Sequence, residues 1–263
     1  MKKQDNGCRM LTLRQTARFL KKNDNYIILT HASPDGDTLG SAYALYYGLK
    51  ECGKIASVIC PDVIPAKYGY FVSETDHVCD DGNAVIIAVD VADKRLLGSL
   101  CENFGDRVTL NIDHHVSNTR YAKYNYVKNE ASCCEIIYDF IKELGAEITS
   151  EIADYLLLGI ITDTGNFAHS NVSENTLLVA SKLVSSGARL HEISYQMFKN
   201  QSKERAVLFG RVTSKMKFFL DDKLAVISVL DDDFKSTGAS SDMTEGFIDF
   251  PLSISGVEVA VSI

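Results

Sequence analysis

Four short stretches of this sequence end an apolar run on an acid or a histidine. His31-x-x-x-Asp35-x-Asp37 follows YIILT, Asp90 closes AVIIAVD, Asp113-His114-His115 closes VTLNID, and Asp163 precedes Thr164-Gly165 after another apolar run. Carboxylate and imidazole without thiolate suit hard to borderline divalent cations such as Mn²⁺, Mg²⁺ or Co²⁺, and one carboxylate can bridge two of them. Two such ions, ~3.5–4 Å apart, clamp a phosphoryl group and acidify a shared water, so these residues could hydrolyse a phosphate ester. Taken singly, each stretch has a plainer reading. His31 to Asp37 reads as a helix-capping loop with Asp37 at the N-cap, Asp90 and Asp163 as turn residues, and the His pair as a surface feature. A carboxylate behind an unbroken apolar run, as at Asp90, nevertheless needs solvent or a neutralising partner. Four such endings together favour one shared site.

The elements that must position them follow from the spacing of apolar residues. YIILT, IASVIC, AVIIAVD and VTLNID read as buried strands, and the stretch from about Thr38 to Glu51 has helical periodicity that stops at Gly53. Cys133 to Leu144, Ser150 to Ile161 and Ser173 to Ser186 continue the helical pattern, the last closing at Gly187. Strands alternating with helices predict an α/β fold, a parallel, doubly wound sheet covered on both faces, with ligands gathered at the carboxyl ends of the strands. Residues 1–189 form the expected catalytic domain, 190–217 a helical connector, and 218–263 a smaller α/β piece containing LAVISVL and GVEVAVSI. A piece that small is marginal on its own.

The composition, 46% hydrophobic and 24% charged over 263 residues, is that of a globular chain. The two N-terminal lysines are followed by the charged, amphipathic LTLRQTARFLKK where a signal peptide would need an apolar segment. Apolar runs fall short of the roughly 18 residues of a membrane span. Seven cysteines without a C-x-x-C pair suggest neither a disulfide framework nor a zinc ribbon, so a reducing cytoplasm is expected and no membrane. A net charge of −8 repels long polyanions, which favours short or small phosphorylated substrates.

In order and spacing, HASPDGDTLGS, AVDVAD, NIDHH and ITDTGNF resemble the four motifs of the DHH phosphoesterase superfamily. Within it they look most like the bacterial oligoribonucleases, or nanoRNases, that also remove the 3′-phosphate of 3′-phosphoadenosine 5′-phosphate. The resemblance implies one cation on His31, Asp35 and Asp90 and a second on Asp37, Asp90, His114 and Asp163, with Asp90 bridging and manganese the expected ion. It implies that Asp113 orients a ligand or the water, that His115 contacts the scissile phosphate and protonates the leaving oxygen, and that Asn118, Ser170 and Asn171 touch substrate. It also implies a homodimer. The family's Gly-Gly-Gly-His-type phosphate-binding motif does not occur in the 263 residues, so 218–263 is expected to be a partial substrate-binding domain. Rival readings are a linear or cyclic dinucleotide phosphodiesterase, an inorganic pyrophosphatase, and a metal- or nucleotide-binding module without turnover. A nucleotide-binding protein of the doubly wound type would want a Gly-rich loop where this chain has Ala32-Ser33-Pro34-Asp35-Gly36.

Overall fold

Successive side chains of a strand point to opposite faces, and the central strands here are apolar on both. In β2 (Tyr26–Leu29), which follows the two-residue β1 (Arg9–Met10) and helix α1 (Leu13–Lys22), Ile28 joins one core while Ile27 and Leu29 join another. A computed structural model describes residues 8–72, 74–78, 80 and 82–263 of the chain. The N-terminal lysines and Cys79 lie outside these residues, and the other six cysteines are unpaired. Among the described residues no helix is long and apolar enough to cross a membrane.

The chain then forms α2 (Gly36–Glu51), β3 (Ala56–Ile59), β4 (Val85–Val89), the short α3 (Cys101–Phe104), β5 (Leu110–Asp113) and β6 (Tyr124–Val127). These strands make one parallel sheet in the order β1-β6-β5-β4-β2-β3. The direction of winding reverses between β2 and β4, which opens a crevice at their carboxyl ends. Helices α4 (Cys133–Leu144), α5 (Ser150–Asp163) and α6 (Glu174–Ser185) follow, and α1, α2, α4 and α5 pack as a layer over the core that contains Ile28, Ile87 and Leu110. The other face carries thinner cover, with Leu97 and Val108 from the short helical turns and loops around α3 packed on Ile27, Leu29 and Ile86.

One sequence expectation shifts at its edge, and two strands add to those expected. The helix after His31 starts at Gly36, and its N-cap is Asp35, whose carboxylate accepts from the Asp37 and Thr38 amides; Asp37 sits inside the first turn. The strands β1 and β6 complete the sheet on one side and carry little apolar signal, being two residues and the sequence YNYV.

By internal contacts the chain divides into Met1–Met197 and Phe198–Ile263. Helix α7 (Leu190–Phe198) buries Ile193 in the first unit. The second contains α8 (Lys203–Thr213), β7 (Lys217–Phe219), β8 (Leu224–Ile227), α9 (Asp231–Thr237), α10 (Asp249–Leu252) and β9 (Val259–Ser262), with β8 between antiparallel β7 and parallel β9. Leu208, Val212, Ile227 and Phe247 form its core. The buried Asp233 carboxylate accepts from Arg211, Lys215 and the Leu230 amide, and these bonds hold its pKa well below the ordinary 3.8.

A seam of small residues lets the helices close. A methyl on Gly40 of α2 would lie 2.4 Å from the Tyr155 carbonyl oxygen of α5, and one on Gly159 of α5 would lie 2.3 Å from Cys134 Sγ and 2.6 Å from Asp37 Oδ1. Gly40→Ala is therefore expected to destabilise the protein by about 1–3 kcal/mol in denaturant unfolding, because the obstacle is backbone that cannot swing aside. Asp233→Asn will also lower stability at neutral pH. A depressed carboxyl contributes fully above its unfolded pKa and loses that contribution as pH falls through the folded one, so the gap between variant and parent will close below pH 3.8.

Candidate metal centre

The crevice between β2 and β4 receives a polar group from every segment that lines it. His31 leaves β2, Asp35 and Asp37 open α2, Asp90 leaves β4, Asp113 ends β5 with His114 and His115 just beyond, and Asp163 ends α5. His31 Nε2 is 3.6 Å from Asp35 Oδ1 and 3.6 Å from Asp90 Oδ2. His114 Nε2 is 3.4 Å from the other oxygen of Asp90, 3.7 Å from Asp37 Oδ2 and 3.5 Å from Asp163 Oδ2. The six residues thus form two donor clusters, His31-Asp35-Asp90 and Asp37-His114-Asp163, and the two Asp90 oxygens face one each.

The surroundings aim these donors. Nδ1 of His31 lies 2.8 Å from the Ala32 carbonyl and Nδ1 of His114 lies 3.1 Å from the Glu130 carbonyl. A ring that donates from Nδ1 to a carbonyl keeps its Nε2 lone pair for the centre, the usual arrangement behind a ligating histidine. The fully buried Asp37 carboxylate accepts from the Cys133 amide at 2.6 Å and the Cys134 amide at 2.9 Å, so the first turn of α4 grips both oxygens. An anion there also meets the positive end of the helix dipole. Asp90 adopts a left-handed backbone conformation (φ 59°), a strain of roughly 1–2 kcal/mol for a residue with a side chain. Ser33, Arg120, Asn166 and Phe167, in loops beside the site, share that conformation. Thr38 ties the His31 amide to the Val89 carbonyl through its hydroxyl.

The donor set fits a cation. Asp90 Oδ1 and His114 Nε2 are buried side-chain atoms without a hydrogen-bond partner among the described residues, and both point into the centre. Burial and the neighbouring carboxylates Asp37, Asp90 and Asp35 push Asp163 up to about 9, and burial with Asp90 pushes Asp37 up to about 7. Burial disfavours charge on the imidazoles, but Asp35 and Asp90 outweigh it at His31, which rises to about 11, and Asp90 and Asp37 outweigh it at His114, which rises to about 10. Protons thus do in this arrangement what a divalent ion would do, offsetting crowded negative charge.

The remaining predicted residues fall into two groups. Asp113 is buried and accepts from His115 Nδ1 at 2.9 Å and from Asn118 Nδ2 at 2.5 Å; these bonds overcome burial and keep its carboxyl low. The Asp113 contact holds the His115 imidazole up against burial, and its ring is half exposed on the open side of the centre. The amides of Asn118 and Asn171 are engaged within the protein. Asn118 Nδ2 also donates to Asn111 Oδ1 at 2.8 Å, and Asn171 Nδ2 donates to the Asp163 and Ala131 carbonyls. Ser170 is exposed in the turn after α5. Residues missed in the sequence are Cys133 and Cys134, which act through backbone amides, Gly159, and Asn111. Asn111 carried a signal, a lone amide inside the strand LNID.

Because His31, His114 and Asp163 hold protons at neutral pH in the cation-free protein, Mn²⁺ binding is expected to release protons and to tighten as pH rises. Calorimetric titration in buffers of different ionisation enthalpy reads this directly, and a buffer-independent enthalpy would contradict it.

Residues 25–160 match the DHH family, N-terminal domain. The bifunctional oligoribonuclease and PAP phosphatase NrnA of Thermus thermophilus is 33% identical over 258 residues, 95% of this chain and 75% of that protein. The protein of the same name from Bacillus subtilis is 28% identical over 206 residues, 74% of this chain and 65% of the relative. This chain therefore spans part of the length of both. A solved structure of an exopolyphosphatase-related protein from Bacteroides fragilis is similar with a TM-score of 0.85 and 26% identity, covering 93% of this chain and 77% of that one. With the donor clusters at the strand ends, the family match over half the chain and a relative at 33% identity, the chain belongs to the DHH family of metal-dependent phosphoesterases.

Proposed function

We propose that this chain is a two-cation phosphoesterase that hydrolyses short oligoribonucleotides and removes the 3′-phosphate of 3′-phosphoadenosine 5′-phosphate. The division of the Asp90 carboxylate between two donor clusters carries the reading. His31, Asp35 and Asp90 would hold one cation, and Asp37, Asp90, His114 and Asp163 the other, with manganese preferred and magnesium or cobalt compatible with the same donors. When bound, the cations supply Lewis acidity toward phosphoryl oxygens and a water that ionises near neutral pH. The protein's own part is to hold its carboxylates apart at fixed spacing and to manage the leaving group. His115, oriented by Asp113 through Nδ1, keeps Nε2 for the substrate; it hydrogen-bonds the phosphate and delivers a proton to the departing oxygen. Asn118, Ser170 and Asn171 shape the rim on which the nucleotide lies.

The names of the Thermus and Bacillus relatives support the substrate class, and the net charge of −8 disfavours long polyanions. In this reading residues 1–189 carry the chemistry, 190–217 connect, and 218–263 supply part of the substrate grip. The active form is a homodimer that works in the cytoplasm, where unpaired thiols persist. Light scattering tests the assembly.

The deciding experiment follows product release from a fluorescent RNA dinucleotide and from 3′-phosphoadenosine 5′-phosphate, each with Mn²⁺ and with a chelator. Turnover of both is expected and must vanish with chelator and in Asp90→Ala. His115→Ala is expected to lower kcat by ~10²–10⁴ while cation affinity stays within a few-fold. Tight Mn²⁺ binding without turnover of any phosphoester would identify a binding module instead, and turnover confined to cyclic dinucleotides would overturn the substrate reading.

A further inference from the structure

Asn111 lies in the middle of β5, in register with Ala88 of β4, and is fully buried. The core on that face, built from Ile27, Leu29, Ile86, Ala88 and Val91, is apolar, and an amide there is unfavourable unless every polar atom finds a partner. It does. Nδ2 donates to the Ala88 carbonyl at 3.3 Å and to the Val91 carbonyl at 3.1 Å, while Oδ1 accepts from Asn118 Nδ2 at 2.8 Å. Asn118 Nδ2 also donates to Asp113 Oδ2 at 2.5 Å and reaches the Val91 carbonyl at 3.4 Å. Ala88 and Val91 bracket Asp90, the residue in the left-handed conformation whose two oxygens face the two clusters.

The turn at Asp90 takes the chain out of the sheet, and the last ladder bond on that side runs from the Asp90 amide to the Ile112 carbonyl. Asn111 grips the chain on both sides of the strained residue from underneath. The pattern recurs one strand away. Asn125, the register partner of Asn111 on β6, is also buried and exchanges hydrogen bonds with the backbone of Ala122. That one serves the backbone just before β6, whereas the Asn111 amide serves the turn that carries Asp90.

We propose that Asn111 is a positioning residue for the metal centre: its side-chain amide holds the left-handed turn that points the Asp90 carboxylate at both clusters, and Asn118 ties this clamp to Asp113. The proposal rests on the reading of Asp90 as a shared ligand. Neither amide titrates or belongs to a donor cluster, so Asn111 acts through the backbone that carries Asp90, and Asn118 acts through Asn111, Val91 and Asp113.

The test uses Mn²⁺ alone as probe, titrated by calorimetry into the full chain and into Asn111→Leu, Asn118→Leu and the double variant, with folding checked by circular dichroism. Leu copies the shape of Asn without its hydrogen bonds. Asn111→Leu is expected to bind Mn²⁺ ~10–100-fold more weakly, the range for residues that orient ligands, and the double variant no more weakly than the worse single one, because the two amides act as a unit. Leu20→Ala, a core truncation in α1 remote from the site, serves as control and must keep its affinity within about twofold. Should Asn111→Leu fail to fold, Asn118→Leu decides, since it takes away the partner of Asn111 Oδ1 from a surface loop; a several-fold weakening is expected. Affinities of the folded Asn variants within about twofold of the parent, or effects that multiply in the double variant, would overturn the clamp. A parent chain that binds no Mn²⁺ would overturn the metal-centre reading itself, which keeps the two failures apart.

Discussion

Four carboxylates, those of Asp35, Asp37, Asp90 and Asp163, converge on two imidazoles at the mouth of a parallel sheet, and their mutual repulsion is the constraint around which this protein is organised. Like charges this close repel one another and would drive a loop apart. The fold resists with directed donors. Asp35 is capped by the start of α2, Asp37 is gripped by two amides at the start of α4, and His31 and His114 are each anchored by a backbone carbonyl. Each contact neutralises part of the crowding without filling the space between the donors. That space is where a divalent ion completes the balance.

The same constraint explains why so much backbone near the centre is strained and so tightly packed. Asp90 can present one oxygen to each cluster because its backbone leaves the strand abruptly. Asp37 can sit fully buried because Gly159 leaves room for its carboxylate beside Cys134. Residues that look incidental in isolation, a glycine in α5 and an asparagine in β5, are set by the demands of carboxylates drawn from other segments.

Much of this was legible in the sequence and some was not, for identifiable reasons. The central strands and the acids at their ends were readable because a buried parallel strand is a continuous apolar run, and a polar residue that terminates one stands out. The capping assignment went to the wrong acid: Asp35 and Asp37 are two residues apart and equally suited to an N-cap, and what separates them is the arrival of the α4 amides from almost a hundred residues away. YNYV and the two-residue β1 escaped because strands that short have no periodicity to read. Asn118 and Asn171 were located as site neighbours, but their hydrogen-bond partners, Asp113, Asn111 and the Asp163 carbonyl, come from the tertiary fold and leave no mark in local spacing.

The parallel sheet order has a consequence for how the protein is made. His31 and Asp163 lie more than 130 residues apart, and the ligands between them arrive on α2, β4 and β5 in turn. Contacts so distant in sequence form late, after the entropy of closing long loops has been overcome. A nascent chain therefore carries an incomplete and strongly acidic half-site until α5 has left the ribosome and docked beside α2. The helix layer of α2, α4 and α5, closed through its apolar seam, is what brings the last carboxylate into place.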